Sequence, residues 1–439
     1  MTPNTSAAAR APKVTSRTVL PNGLTLLVRR NHENPTISLQ GTVKAGSAFD
    51  LEAAAGGTKA GLARFTAAML DQGAGERDAL AMASAVEDIG ASLHFESAGE
   101  TASIRGAMLS EDLDALLAVL ADALRRPTFP EAQVEKVRAE LLNDARLAES
   151  TTSSVAPRRA NELLFPATHP FHYHRGGSET TLRAILRDDL VTFHRRRYRP
   201  DATVLALVGD VTPERALEAV SRALGDWPTG PDPVRLEIPS AAAPPTALRR
   251  VVAMPGRSQA DVVMAVPGVA RTAPDYDAVM MMNYVLGGAS LSSRLMENLR
   301  DAQGLVYGVY STLQAGLGAG PLQIRAGTNP ANVDRCVASI LSEVRRLGAA
   351  GPAAEEIDAA KGYMTGVFPV RLEANSGVAA QILAVELYGL GFDYLERYDS
   401  IIRSVSREDV ALAARRCLSG PGYVLVVAGD LPEEPSHAI

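Results

Sequence analysis

Three histidines, His169, His172 and His174, crowd the run ATHPFHYHRGG. Imidazoles this close together can hold a metal ion. No nearby cysteine or carboxylate completes a tetrahedral set. A loop entering the Gly176-Gly177-Ser178 turn, with its ring nitrogens on backbone or solvent, is the simpler reading. The run GLGAG at 316–320 imitates a phosphate-cradling loop but lies between two strand-like runs, so it reads as a hairpin turn. LGGASLSS, from Leu286, reads as a helix end at Gly287/Gly288 followed by a serine N-cap. Cys336 and Cys417 sit in helix-like segments and read as small core residues rather than a disulfide. Neither G-x-S-x-G nor a nucleophilic Cys/His arrangement stands out. Arg300 and Tyr307, in LRDAQGLVY, carry a guanidinium and a phenol. Both groups are hydrogen-bond donors. Seen alone, an arginine at a helix end and a tyrosine in a strand are unremarkable, and a structural role is the default.

The elements that would position these groups mix helix and strand. TVLPNGLTLLV places two apolar runs around Pro21-Asn22-Gly23, a hairpin signal because Asn-Gly tolerates the positive φ of such turns. Leu113, Leu116, Leu117, Leu120 and Leu124 line one face of a helix. ATVLALVGD reads as a buried strand, and TPERALEAVSRAL as a helix with Thr212 as N-cap and Pro213 in the first turn. The basic run HRRRYRP at 194–200 reads as a solvated helix face.

These elements recur. RDDL at 187–190 returns as REDV at 407–410, and VLALVGDVTPE at 204–214 as VLVVAGDLPEE at 424–434, each 220 positions on. One such match arises by chance; a consistent set marks a duplication. The fold expected is α+β: two homologous repeats, each a mostly antiparallel sheet with helices packed on one face. Residues 1–16 read as a disordered lead-in, 17–226 as the N-terminal repeat, the proline-rich 227–247 as a linker, and 248–435 as the C-terminal repeat. A net charge of −6 gives no footprint for nucleic acid, and no apolar run is long enough to span a membrane. Met1 to Ser16 lacks the hydrophobic stretch of a signal peptide, and reads equally as a mature terminus re-started with Met. Compartment is weakly determined, the bacterial periplasm being favoured over the cytoplasm.

Taken whole, Gly61 to Leu141, opening GLARFTAAML and running through GASLHF, LSEDL and PTFP, resembles the catalytic half of the pitrilysin/insulinase-type zinc peptidases, the inverzincins. LGGASLSSRLMENLRDAQGLVYGVYS at 286–311 resembles that family's C-terminal repeat, and the likeness runs from about Arg17 to Glu434. It implies a fold like that of mitochondrial processing peptidase. A catalytic inverzincin needs two histidines four apart on one helical face, a glutamate beside them as base, and a further carboxylate as third ligand. Here the His-x-x-Glu-His positions read Arg64-Phe65-Thr66-Ala67-Ala68. Arg64 cannot ligate and brings a permanent charge. Ala68 offers no donor atom, Ala67 removes the base, and only Asp144, shorter than the usual glutamate, stands near the third-ligand position.

The resemblance therefore implies a chain with no zinc of its own. It also implies that Arg300 and Tyr307 match an Arg/Tyr pair that faces zinc-bound substrate in related peptidases. Their retention beside a lost zinc site points to a divided active site. This chain would be the non-zinc-binding subunit of a heterodimeric metalloendopeptidase, inactive alone, with the zinc in a homologous partner and short unfolded peptides as substrate. The alternative is a non-enzymatic scaffold or peptide-binding protein of the same fold.

Overall fold

Asn22-Gly23 closes the first hairpin as its residues predict: Gly23 takes φ +89°, and β1 (Ser16–Val19) pairs antiparallel with β2 (Thr25–Arg30). The structure, a computed structural model, describes residues 14–51, 59–231 and 233–438. Of the expected lead-in, residues 1–13 lie outside the described residues, and Ser16 already belongs to β1. The chain continues through β3 (Thr36–Val43), a two-residue ribbon β4 (Gly73–Ala74) and β5 (Arg77–Asp78), then β6 (Ser92–Ser97), β7 (Ala102–Leu109) and β8 (Thr203–Gly209). Six of these form one sheet in the order β1-β2-β8-β3-β7-β6. The second half supplies β9 (Leu248–Ala253), β10 (Ala260–Pro267), β11 (Val306–Ala315), β12 (Ala319–Thr328), β13 (Val424–Gly429) and β14 (Glu434–Ala438). Their order is β11-β12-β10-β13-β9-β14. Read from the opposite edge, this is the first sheet's order again, with the outer strand drawn from the start of the chain in one sheet and from its end in the other. Each sheet is antiparallel except for one pair, β2 with β8 and β9 with β13.

One face of each sheet carries its own half's helices. Leu113, Leu116, Leu117, Leu120 and Leu124 are all buried, so the periodicity of helix Leu113–Arg125 is spent on the first core. Helix Pro213–Leu224 starts as its sequence predicts, with the Thr212 hydroxyl accepting from the Arg215 amide. In the second half, helices Val333–Ala350 and Arg407–Leu418 pack together over the core that holds the methionines Met281 and Met282. The basic run divides: Arg195 and Arg196 are exposed, while His194 and Tyr198 are buried and stacked.

The other face of each sheet receives a helix from the opposite half. Helix Thr152–Leu164 sets Val155, Ala156, Ala160 and Leu164 against Val263, Ala265, Val424 and Val426 of the second sheet. Helix Asn375–Tyr388 sets Val378, Ala379 and Ile382 against Leu27, Ala206 and Val208 of the first. Polar contacts reinforce the exchange, among them Thr152 to Asp261 at 2.6 Å and Asn31 to Asn375 at 2.8 Å. Among the described residues, 228–247 carry neither helix nor strand.

Candidate functional site

Helix Leu62–Ala68 carries the degenerate motif. It begins at Gly61, whose φ of +97° is open to glycine without strain. Buried Asp50 reaches its first turn and accepts from the Gly61 and Ala63 amides at 2.9 Å each. Those are donors that a helix start leaves without intrahelical partners. Burial pushes the Asp50 carboxyl up to about 8 against the pull of these two amides. Phe65 and Ala67 point into the core, Phe65 under the Arg138 guanidinium at 5.2 Å. Arg64 points outward, and its guanidinium pairs with Asp144 at 2.6 Å, from helix Glu131–Glu149. Both partners are substantially exposed, so the pair adds little stability. Its importance lies in charge: Asp144, the carboxylate near the lost third-ligand position, is already held by a cation.

The three histidines end on backbone. His169 contacts the Pro239 carbonyl at 2.8 Å, His172 the Phe165 carbonyl at 2.8 Å, and His174 the Gly177 carbonyl at 3.4 Å. Burial lowers the His174 pKa, and the guanidiniums of Arg158, Arg175 and Arg64 lower it further. Three arginines around a desolvated imidazole oppose a divalent cation. Among the described residues no group of three or more His, Cys, Asp or Glu side chains is arranged to hold a metal. The residues at the His-x-x-Glu-His positions do not fit zinc.

The GLGAG run is a hairpin turn between β11 and β12, and it grips an anion after all. Glu100 of the first half accepts from the Leu317 and Gly318 amides at 2.6 and 2.7 Å. A Cβ at Gly316 would strike the same carboxylate. The LGGASLSS segment begins as a π-helical turn, Tyr284–Gly288, with Ser293 at the N-cap position of the next helix. Cys336 and Cys417 are free thiols, the first buried and the second half-buried.

Arg300 lies in a second π-helical turn, Glu297–Ala302, a local distortion frequent at functional sites. Its nearest carboxylate is Asp301, at 4.0 Å. Tyr307 sits in β11, an edge strand, where the register slips between Val306 and Gly308 and leaves Tyr307 as the unpaired residue of a bulge. It is 92% exposed, and no hydrogen bond joins it to Arg300 or to any other described residue. The structure thus joins Arg64 to Asp144 and places Arg300 and Tyr307 on consecutive elements of the other half. Among the described residues no ion pair or hydrogen bond links the two sets. Sequence reasoning missed Asp50, Glu100 and the arginines around His174. Asp50, Glu100, Arg64 and Arg158 act across more than ten residues of chain, where spacing carries no signal, and the effect of neighbouring Arg175 depends on the burial of the imidazole.

Residues 25–168 match the insulinase family, peptidase family M16, and residues 184–364 match the M16 inactive domain. An uncharacterized zinc protease of Streptomyces coelicolor is 26% identical over 433 residues, covering 96% of this chain and 91% of its own. A non-peptidase homologue from Helicobacter pylori is 27% identical over 321 residues, 72% of each chain. The crystal structure of an M16 inactive domain from Pseudomonas fluorescens aligns with a TM-score of 0.88 at 26% identity, over 96% of this chain and 99% of that one.

Proposed function

We propose, for a chain that belongs to the M16 (insulinase) peptidase family and has no residues to ligate zinc at the family's motif, the role of a partner subunit in a heterodimeric metalloendopeptidase. A homologue bearing His-x-x-Glu-His would supply zinc and base, and this chain the donors that orient a short unfolded peptide. The observation that carries this reading is Tyr307. A phenol 92% exposed, turned out of the ladder by a bulge and without a hydrogen-bond partner among the described residues, is free to meet a group from outside. Arg300, in the turn that precedes β11, carries a positive charge on the neighbouring element. Arg64 and Asp144 support the division of labour, since each neutralises the other where a ligand set would stand.

The test is a reconstituted pair with the zinc-bearing homologue, assayed on a fluorogenic peptide. Tyr307→Phe removes one exposed hydroxyl and leaves assembly intact. Loss of an oxyanion-type donor lowers kcat by ~10²–10³. A rise in KM alone would place the hydroxyl in uniform substrate binding instead. If the pair assembles and cleaves equally well with either residue, Tyr307 has no part in turnover. If no cleavage appears with any zinc-bearing homologue, the scaffold reading replaces this one.

A further inference from the structure

Nine of the eleven tyrosines fall after residue 247, and six of them (Tyr276, Tyr284, Tyr363, Tyr388, Tyr394 and Tyr398) line a single cavity of about 420 Å³ in the second half. It shares no residue with the Arg64–Asp144 pair or with Arg300 and Tyr307. A hydrophobic core fills its space with aliphatic side chains and leaves no void of this size. Here aromatic faces stand around open space: Tyr284 stacks on Tyr363 at 4.9 Å, and Phe368 on Tyr398 at 3.8 Å. Of the six phenols only Tyr394 has a hydrogen-bond partner among the described residues, accepting from Arg271 at 2.7 Å.

The cavity also holds charged groups, Arg271, Asp277 and Arg371. Arg294 and Arg17, outside the cavity, meet carboxylates, those of Glu356 and Glu386. Arg271 has no carboxylate within ion-pair distance among the described residues; its guanidinium lies over the Tyr276 ring at 4.1 Å from the centroid. Arg371, at the exposed edge of the cavity, has none either. Asp277 also lines the cavity, yet among the described residues it accepts no hydrogen bond and forms no ion pair. Burial raises its pKa, with only the more distant Arg271 charge opposing. A half-buried carboxylate without a donor costs free energy unless a ligand completes it.

We infer that this cavity binds the zwitterion of an aromatic amino acid, either free or as the body of a dipeptide. A ligand carboxylate answers the unpaired guanidiniums, a ligand ammonium answers Asp277, and a flat ring stacks among the tyrosines. A cavity of a few hundred Å³ with a small set of convergent polar groups is the usual shape of a small-molecule site.

Calorimetric titration of the whole chain tests this with L-phenylalanine, the dipeptide Phe-Phe, and three analogues. 3-Phenylpropionate lacks the ammonium, phenethylamine lacks the carboxylate, and L-alanine lacks the ring. Phenylalanine or the dipeptide is expected to bind at least about tenfold more tightly than any of the three, since each analogue forfeits a charge-assisted contact or the stacked ring. The tighter of the two ligands identifies the source as a free amino acid or a peptide. Asp277→Asn should weaken phenylalanine about tenfold while leaving 3-phenylpropionate unchanged. Arg371→Gln, at an exposed position, should weaken both without risk to folding. Absence of binding by phenylalanine and the dipeptide at millimolar concentration overturns the inference. So does binding of the one-charge analogues as tightly as the zwitterion.

Discussion

At the scale of the residue, the molecule's character turns on substitutions that exchange donor atoms for charge or nothing. Arg64, Ala67 and Ala68 were legible in the sequence because a motif is a string and its loss is read letter by letter. That Arg64 would take Asp144 as partner was not, since it depends on how two helices meet. Dialysed against zinc and then freed of excess, the purified chain should retain no stoichiometric metal by elemental analysis; about one zinc per chain would restore the histidine loop as a candidate. His194 makes a second prediction. It is buried, donates to the Leu124 carbonyl at 3.0 Å, and burial lowers its pKa to about 4. The unfolded chain therefore takes up a proton near pH 6.5 that the folded chain refuses until about pH 4. This contribution to stability is whole above pH 6.5 and falls by about 3 kcal/mol as the pH drops to 4. Asp50, raised to about 8, slopes the other way, losing stability as pH rises from ~4 to 8. Urea midpoints of wild type and His194→Gln across this range separate the two, because the glutamine keeps a donor but does not titrate. Equal slopes would show that His194 does not govern the acid limb.

At the scale of the element, side chains distant in sequence set what a segment can do. Replacing Asp50 with alanine leaves two buried amides at the start of helix Leu62–Ala68 without acceptors. The expected loss is about 2–4 kcal/mol, read as a lower urea midpoint at unchanged m. An effect below ~0.5 kcal/mol would mean that water satisfies those amides. The elements themselves were the most readable part of the chain. The leucine face of helix Leu113–Arg125, the Thr212 cap and the Asn22-Gly23 turn follow from local rules and stand where those rules put them. The bulge at Tyr307 and the π-helical turn at Arg300 could not be read. Both are departures from periodicity, and a pattern does not announce where it will be broken. The GLGAG turn was half readable: its place between strands was plain, but the carboxylate that occupies it comes from Glu100, more than two hundred residues earlier.

At the scale of the whole molecule, the duplication was visible as repeated strings, yet the way the copies embrace was not. An exchanged helix looks in sequence like any other apolar helix. Val155, Leu164 and the neighbouring Phe165 bury their side chains against or beside the second sheet, and three such groups contribute roughly 5–8 kcal/mol, comparable to the net stability of a domain. Fragments 1–231 and 232–439 should therefore be insoluble apart and soluble when co-expressed, and the intact chain should melt in one calorimetric transition. Two independent transitions would show that the halves do not depend on each other. Synthesis on the ribosome gives this exchange a direction in time. The second sheet finds its covering helix, Thr152–Leu164, made before its first strand exists. The first sheet, complete at Gly209, waits roughly 170 residues for helix Asn375–Tyr388, about 10–30 s at ~5–20 residues per second. During that interval Leu27, Ala206 and Val208 face water, so the N-terminal half is the one that needs a chaperone's shelter, while the C-terminal half folds onto a template already in place.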